Sequence, residues 1–187
     1  MRKKLRSSRG FTLVEMLAAS IVLILLGLMM NTGFQMAMRT YRTLTARSEL
    51  DLLLSTAVDA LSDDLRYARN VSGSGGSFTY TSDSFGSNTS ITVDTVSGSD
   101  SEGQLLANGL RMLSTGAYGL NRAYVVKQVD AYTPLVSCDT NADGEVTFTI
   151  QLMVSTRDAA DPVTARTPAG GITVRCLNRT AAAGSGG

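Results

Sequence analysis

The feature that most constrains this chain is an apolar stretch near its start, Leu13 to Met30, that contains a single acid. Its 18 residues match the length of a membrane-spanning helix. They exceed the core of a signal peptide, which has about 7 to 15 residues. Glu15 is the only charged residue in the stretch. A charged side chain in hydrocarbon costs roughly 3 kcal/mol or more, so Glu15 is a candidate functional residue.

The residues around the apolar stretch predict its orientation in a membrane. Five basic residues and no acid precede it: Arg2, Lys3, Lys4, Arg6 and Arg9. By the positive-inside rule, the N-terminus stays in the cytoplasm and the chain after Met30 is exported. No small-residue cleavage site follows Met30, which disfavours a cleavable secretory signal.

The junction Gly10-Phe11-Thr12-Leu13-Val14-Glu15 resembles the processing site of type IV prepilins and of pseudopilins, the related subunits of type II secretion and DNA-uptake machines. In that family a prepilin peptidase removes a short basic leader ending in Gly, and the new N-terminal residue, usually Phe, is N-methylated. The resemblance implies that residues 1–10 are a cleaved leader, that Phe11 is the methylated mature N-terminus and that Glu15 is the assembly acid. Beyond about the first 30 residues the resemblance is architectural.

The resemblance also implies a role for Glu15. Cleavage after Gly10 creates an α-amino cation at the membrane edge, which in the family is neutralised by the acid of the same chain or of a neighbour in the filament. Two opposite charges that are each costly in hydrocarbon become tolerable as a pair. The alternative is that Glu15 snorkels to the cytoplasmic interface. The implied partners are a prepilin peptidase, other pilin subunits, an inner-membrane assembly platform and the membrane.

The charge balance gives no support for nucleic-acid binding. The chain has 17 basic and 16 acidic residues, and loss of the leader would leave 12 basic against 16 acidic side chains, a net charge of −4. Non-specific binding to nucleic acid depends on positive charge that neutralises phosphates. We therefore predict no nucleic-acid partner.

Helical periodicity continues beyond the membrane segment. Apolar residues recur at steps of three and four from Leu50 to Ala68, with most charged residues off that face. No Pro occurs between Phe11 and Asn70, so one continuous helix of about 90 Å is expected. We predict a transmembrane part at residues 11–30 and an amphipathic continuation at residues 31–70.

The composition changes after Asn70. Residues 71–103 are rich in Ser and Gly and predict a mobile connector with one or two short strands. Residues 104–180 predict a C-terminal sheet domain of about four strands, and residues 181–187 a flexible tail. The predicted fold class is α+β, with a long N-terminal helix packed on one small antiparallel sheet, as in pilins.

The two cysteines, Cys138 and Cys176, both fall in the part predicted to be exported. That location permits a disulfide, and many pilins staple their C-terminal region in this way, so we predict that the two residues form a bridge. In producers without an oxidising pathway both thiols would stay free. The chain contains no His, which excludes His-assisted nucleophilic catalysis and most zinc sites.

The segment Asp139-Thr140-Asn141-Ala142-Asp143-Gly144-Glu145 matches the first half of a calcium loop. Asp139, Asn141 and Asp143 would be its oxygen ligands, but position twelve is Ile150, where a bidentate Glu is required. The alternative is an Asp-Gly hairpin turn, which the following strand signal favours. We predict the turn, with a weak calcium site as the open alternative and no other cofactor.

These features predict a structural subunit, not an enzyme. It would lie in the cell membrane as a single-pass protein with an exported domain, and then join an extracellular or periplasmic filament. A minor subunit of a type IV pilus is favoured, because the Ser/Gly-rich insert is a poor regular packing surface. A pseudopilin of a secretion or DNA-uptake system is the close alternative, and an anchored binding module is the alternative from another class. The adjacent acids Asp63 and Asp64 are expected to be a solvated surface feature, not a catalytic pair.

Overall fold

The computed structural model describes residues 12–96, 99, 101–119, 123–157 and 162–178. These residues form a long α-helix, a short 3-10 helix at Thr115–Tyr118 and twelve strands. The elements are α1 (Leu13–Arg66), β1 (Arg69–Ser74), β2 (Ser77–Ser82), β3 (Gly86–Thr89), β4 (Ile91–Val93), β5 (Leu105–Ala107), β6 (Leu110–Arg111), β7 (Tyr124–Gln128), β8 (Val136–Thr140), β9 (Val146–Ile150), β10 (Leu152–Thr156), β11 (Thr164–Arg166) and β12 (Ile172–Arg175).

The chain divides into two compact units, Met1–Leu44 and Thr45–Gly187, and α1 contributes to both. The prediction of one unbroken helix is confirmed over the 54 residues of α1, with Gly27 and Gly33 inside it. In the second unit, α1 packs on small antiparallel sheets. This arrangement confirms the α+β class.

The predicted apolar stripe of α1 forms one side of the core in the second unit. Its fully or almost fully buried members are Leu50, Leu53, Ala57, Val58, Leu61 and Leu65. They pack in one cluster with side chains from the sheets, among which Tyr80, Phe148 and Ile150 are fully buried. Each Å² of apolar surface removed from water stabilises a fold by about 25 cal/mol, so this stripe holds the helix on the sheets.

The carbonyl groups at the end of α1 are satisfied by the segment that follows β12. The Leu177 N–H donates to the Arg66 carbonyl at 2.8 Å. The Asn178 side-chain amide donates to the Tyr67 carbonyl at 2.9 Å. The last turn of a helix leaves such carbonyls without internal partners. Residues 177 and 178 therefore cap the C-terminal end of α1.

Strands β9 and β10 follow each other with only Gln151 between them, and each is the central strand of a three-stranded sheet. Strands β8 and β7 pair with one edge of this segment, and β12 and β11 pair with its other edge. All four pairings are antiparallel. Val146-Thr147-Phe148-Thr149-Ile150 alternates between buried and partly exposed positions, as its sequence predicts.

The sequence underestimates the number of strands. The described residues contain four three-stranded sheets where one sheet of about four strands was expected. Helix α1 ends at Arg66, four residues before the predicted end at residue 70, and β1 begins at Arg69 and forms one sheet with β2 and β3; β4 joins β5 and β6 in another. The hairpins are tight because Gly73, Gly75 and Gly86 have φ values of 100°, 61° and 89°, which glycine adopts without steric cost.

Candidate functional site

The first turn of α1 contains the candidate assembly acid and shows why the helix begins there. Thr12 is the N-cap: its Oγ1 accepts a hydrogen bond from the Glu15 N–H at 3.2 Å, and its carbonyl accepts from the Met16 N–H at 3.1 Å. Thr followed three residues later by Glu is the capping-box pattern. Glu15 is an acid in the positive first turn, where the helix dipole favours a negative charge. Sequence reasoning missed this cap, although Thr12-Leu13-Val14-Glu15 contains its signal.

The N-terminal half of α1 has a surface suited to lipid. Its most apolar 18-residue window has a mean hydropathy of 2.5, and none of that window is buried. Large apolar side chains are exposed there, including Leu17, Ile21, Val22 and Leu26. The helix is therefore long and apolar enough to cross a membrane. The other two residues of the predicted processing site, Gly10 and Phe11, lie outside the described residues.

Two carboxylates of α1 form hydrogen bonds with tyrosines of the sheets. The Tyr80 hydroxyl and the Ser82 Oγ each donate to Asp64 at 2.5 Å. The Tyr124 hydroxyl donates to Glu49. Burial and the neighbouring carboxylate raise the pKa of Tyr80 well above its ordinary value, and the same causes raise the pKa of Tyr124 to about 12.

The expectation for the Asp63–Asp64 pair is therefore wrong for Asp64. Asp63 is exposed, but Asp64 is partly buried and links the helix to β2. The sequence could not show this contact, because Tyr80 and Ser82 lie 16 and 18 residues away along the chain.

The predicted disulfide is not formed in this structure. Cys138 lies in β8 and Cys176 follows β12, and both are buried free thiols. Strand β9 lies between β8 and β12. Two strand spacings amount to about 10 Å, whereas a disulfide needs Cα atoms within about 7 Å. Burial raises the pKa of both thiols, and the Cys176 Sγ donates to the Ala68 carbonyl at 3.2 Å.

The Asp139–Glu145 segment forms a turn between β8 and β9, as the favoured alternative predicted. Gly144 has a φ of 74°, and its N–H donates to the Asn141 carbonyl at 3.0 Å. The Asn141 Oδ1 accepts from the backbone N–H groups of Asp143 at 3.1 Å and of Glu145 at 2.8 Å. The Asn141 side-chain oxygen therefore stabilises the turn.

The remainder of the calcium-loop prediction also finds no support. Ile150, the residue at position twelve, is fully buried in β9. Within the part of the chain that the structure describes, no group of three or more His, Cys, Asp or Glu side chains could hold a metal ion. Asp139 and Asp143 are exposed on either side of the turn.

The second unit contains a cleft of about 640 Å³ that the sequence did not predict. Residues 90–95, which include β4, line it together with β7, the start of β2 and residues 134–136. An ion pair borders it: Arg157 Nη1 lies 3.0 Å from Glu102 Oε2, and Arg157 Nη2 donates to the Glu102 carbonyl at 2.7 Å. Its lining combines apolar residues such as Phe78 and Val126 with polar ones such as Gln128, as ligand sites do.

Three groups that follow β4 in the chain donate hydrogen bonds to Asp94. The carboxylate accepts hydrogen bonds from Ser101 Oγ at 2.5 Å, Ser99 Oγ at 2.6 Å and the Val96 N–H at 2.9 Å. These bonds lower the pKa of Asp94 below its ordinary value, with the Ser101 bond as the largest cause. The Asp94 charge is thus engaged within its own loop.

Comparison with known proteins adds no family assignment. No protein-family model matches the chain, and searches of curated proteins and of solved structures found no significant match.

Proposed function

We propose that this chain is a structural subunit of a type IV pilus or a related filament, a minor pilin, processed by a prepilin peptidase between Gly10 and Phe11. The observation that carries the proposal is the first turn of α1, where Thr12 caps the helix and Glu15 precedes a long exposed apolar surface. The chain would be inserted as a single-pass membrane protein and then packed into the filament through its helix.

The cap gives a physical reason for an acid at this position in a cleaved chain. Cleavage before Phe11 would place a new ammonium group one residue before the N-cap, at the positive end of the helix dipole. That placement is unfavourable unless a carboxylate lies nearby. Glu15 is in the same turn, so its carboxylate would pair with the ammonium group of its own chain or of a neighbouring subunit in the filament, in a medium of low dielectric constant.

Two alternatives remain for the exported domain. A pseudopilin of a secretion or DNA-uptake system would use the same insertion, cleavage and packing. An anchored binding module would use α1 only as an anchor, and the 640 Å³ cleft is the observation that favours it. A filament subunit and an anchored module differ in whether the leader is removed and in whether the protein's function requires Glu15.

The first experiment is the mass of the N-terminal peptide isolated from membranes of the producing cell. The proposal predicts a peptide that begins at Phe11 and carries one added methyl group. A peptide that retains Met1, or one that begins beyond Met30, would contradict the proposal and leave an anchored or secreted domain.

The second experiment separates the charge of Glu15 from its position in the capping box. Glu15→Ala removes both the charge and the side chain, whereas Glu15→Gln keeps a residue suited to the capping box and removes only the charge. We expect both variants to reach the membrane and both to be absent from sheared filaments. Normal incorporation of Glu15→Gln would show that capping, not ion pairing, is what the filament requires.

A further inference from the structure

The lining of the cleft in the second unit includes a strand with an unpaired outer edge. Strand β4 lies at the end of the sheet β4-β5-β6, and β7 lies at the end of the sheet β11-β10-β7. Both strands line the cleft, but the outer edge of β7 is partly paired, because the Val126 N–H donates to the Gly103 carbonyl at 2.7 Å. Unpaired edges expose backbone N–H and C=O groups that pair readily with another extended chain, and natural proteins usually cover or block them.

The register of β4 shows which groups are unpaired. The Asp94 N–H donates to the Gln104 carbonyl at 3.1 Å, and the Asn108 N–H donates to the Ser90 carbonyl at 3.0 Å. Residues alternate along an antiparallel ladder, so Ser90, Thr92 and Asp94 direct their backbone groups to the β5 side. Ile91 and Val93 therefore direct theirs to the opposite edge, where no backbone hydrogen bond joins them to another described residue.

The charges around the cleft distinguish among possible occupants. Asp94 is held by its own loop, and Glu102 and Arg157 pair with each other. Lys127 of β7 is exposed in the lining, and no ion pair joins it to another residue in the described ranges. The cleft thus offers two outward strand positions, apolar contacts from side chains such as Phe78 and Val136, and one cation.

We propose that this cleft binds an extended peptide segment of a partner protein, which adds as a strand to the outer edge of β4 and places an acidic side chain near Lys127. Strand addition obtains affinity from main-chain hydrogen bonds and selectivity from alternate side chains. The proposal is independent of the filament assignment, because it uses only the second unit.

The probe is a fluorescein-labelled peptide, Thr-Val-Asp-Val-Thr-Val, with an amidated C-terminus, titrated into the full chain in detergent micelles and followed by anisotropy. We expect saturable binding. A copy of the peptide that is N-methylated at alternate residues cannot form the ladder, so its binding should be lost. Equal binding of the methylated copy, or no binding of the parent peptide at any soluble concentration, would overturn the proposal.

A matched pair of variants tests the edge of β4. Val93→Pro removes the outward N–H and leaves the ladder to β5 intact, because an edge strand tolerates Pro at a position whose N–H faces away from its neighbour. Val93→Ala trims the side chain but keeps the N–H. We expect Val93→Pro to weaken binding about tenfold or more relative to Val93→Ala, as expected for the loss of one hydrogen bond and its geometry. Equal affinity of the two variants would overturn the assignment to β4.

Two further controls keep the result specific. Gln128→Pro blocks an outward N–H on β7 and should leave binding unchanged; loss of binding in this variant alone would move the site to β7 and overturn the β4 assignment. Lys127→Glu should weaken binding of the parent peptide and restore it for a copy with Lys in place of Asp. Near-ultraviolet circular dichroism confirms that each variant is folded before its affinity is compared.

Discussion

The two halves of α1 have similar backbones but depend on different surroundings. From Leu13 to Met30 the helix is apolar around almost all of its circumference and is exposed. From Thr45 onward it has one buried stripe and one polar face. Helices that are apolar on all sides need lipid or a large protein core, whereas a single stripe needs only one packed surface. One uninterrupted helix is thus suited to two different environments, because its side-chain pattern changes along its length.

The largest expected effect is the loss of a buried leucine in the second half. Leu61 is 0% exposed and Leu52 is 66% exposed on the same helix segment. Leu61→Ala should lower the free energy of unfolding of the domain by about 2–5 kcal/mol because it leaves a cavity. Leu52→Ala should change it by about 0.5 kcal/mol or less. Urea unfolding of the full chain in detergent, followed by near-ultraviolet circular dichroism of the tyrosines, measures both.

Leu25→Ala extends this comparison to the first half. It should leave the unfolding of the second unit unchanged, because Leu25 lies in the first unit. A loss as large as that of Leu61→Ala would contradict the division of α1 into two differently stabilised halves.

The next effect concerns the polar contact between the second half and the sheets. Asp64→Asn replaces a charged acceptor of two hydrogen bonds by a neutral group and should destabilise the domain by about 1–3 kcal/mol. The neighbouring Asp63→Asn is the control, with an expected change of about 0.5 kcal/mol or less because Asp63 is exposed. Equal effects of the two variants would show that the contact with Tyr80 contributes nothing to stability.

A smaller effect is expected at the start of the first half. Thr12→Ala removes the N-cap hydrogen bond and should cost about 1 kcal/mol, confined to the first turn of α1. Thr12→Ser keeps the acceptor and should behave like the native chain. Amide hydrogen exchange of Glu15 and Met16 in detergent micelles measures this fraying. Faster exchange throughout the second unit would contradict a local effect.

The last prediction concerns the contact between Tyr124 and Glu49, which should weaken only at high pH. Tyr124 has a pKa near 12 in the folded chain, against 10 for an ordinary tyrosine, so its hydrogen bond to Glu49 stabilises the fold fully below pH 10. That contribution should be lost as the pH rises from about 10 to about 12. In urea unfolding, the stability difference between the native chain and Tyr124→Phe should shrink over this range. A difference that stays constant up to pH 12 would contradict the raised pKa.

The sequence predicted the elements that depend on local pattern. The helix, its buried stripe from Leu50 to Leu65 and the turn at Gly144 are all marked by spacing or by turn residues close together in the chain. The strands around Gly73 and Gly86 were underestimated because short Ser- and Gly-rich strands contain few β-branched residues.

What the sequence could not predict depends on contacts distant along the chain. The link from Asp64 to Tyr80 requires the pairing of a helix with a strand. The cleft requires β4 and β7 to lie at the ends of their sheets, and the separation of Cys138 from Cys176 requires β9 to lie between them. The candidate assembly acid was the opposite case, because Glu15 is marked by its immediate neighbours.

The two carboxylate–tyrosine contacts have a mechanical consequence. Glu49 and Asp64 lie about 22 Å apart along α1, and each is bound to a different sheet element. A pull along the helix axis would load both contacts and the leucines between them in shear. A slip of one helical turn, about 5.4 Å, would have to break both contacts at once and move each buried leucine out of its site. The domain therefore resists sliding on its helix under tension.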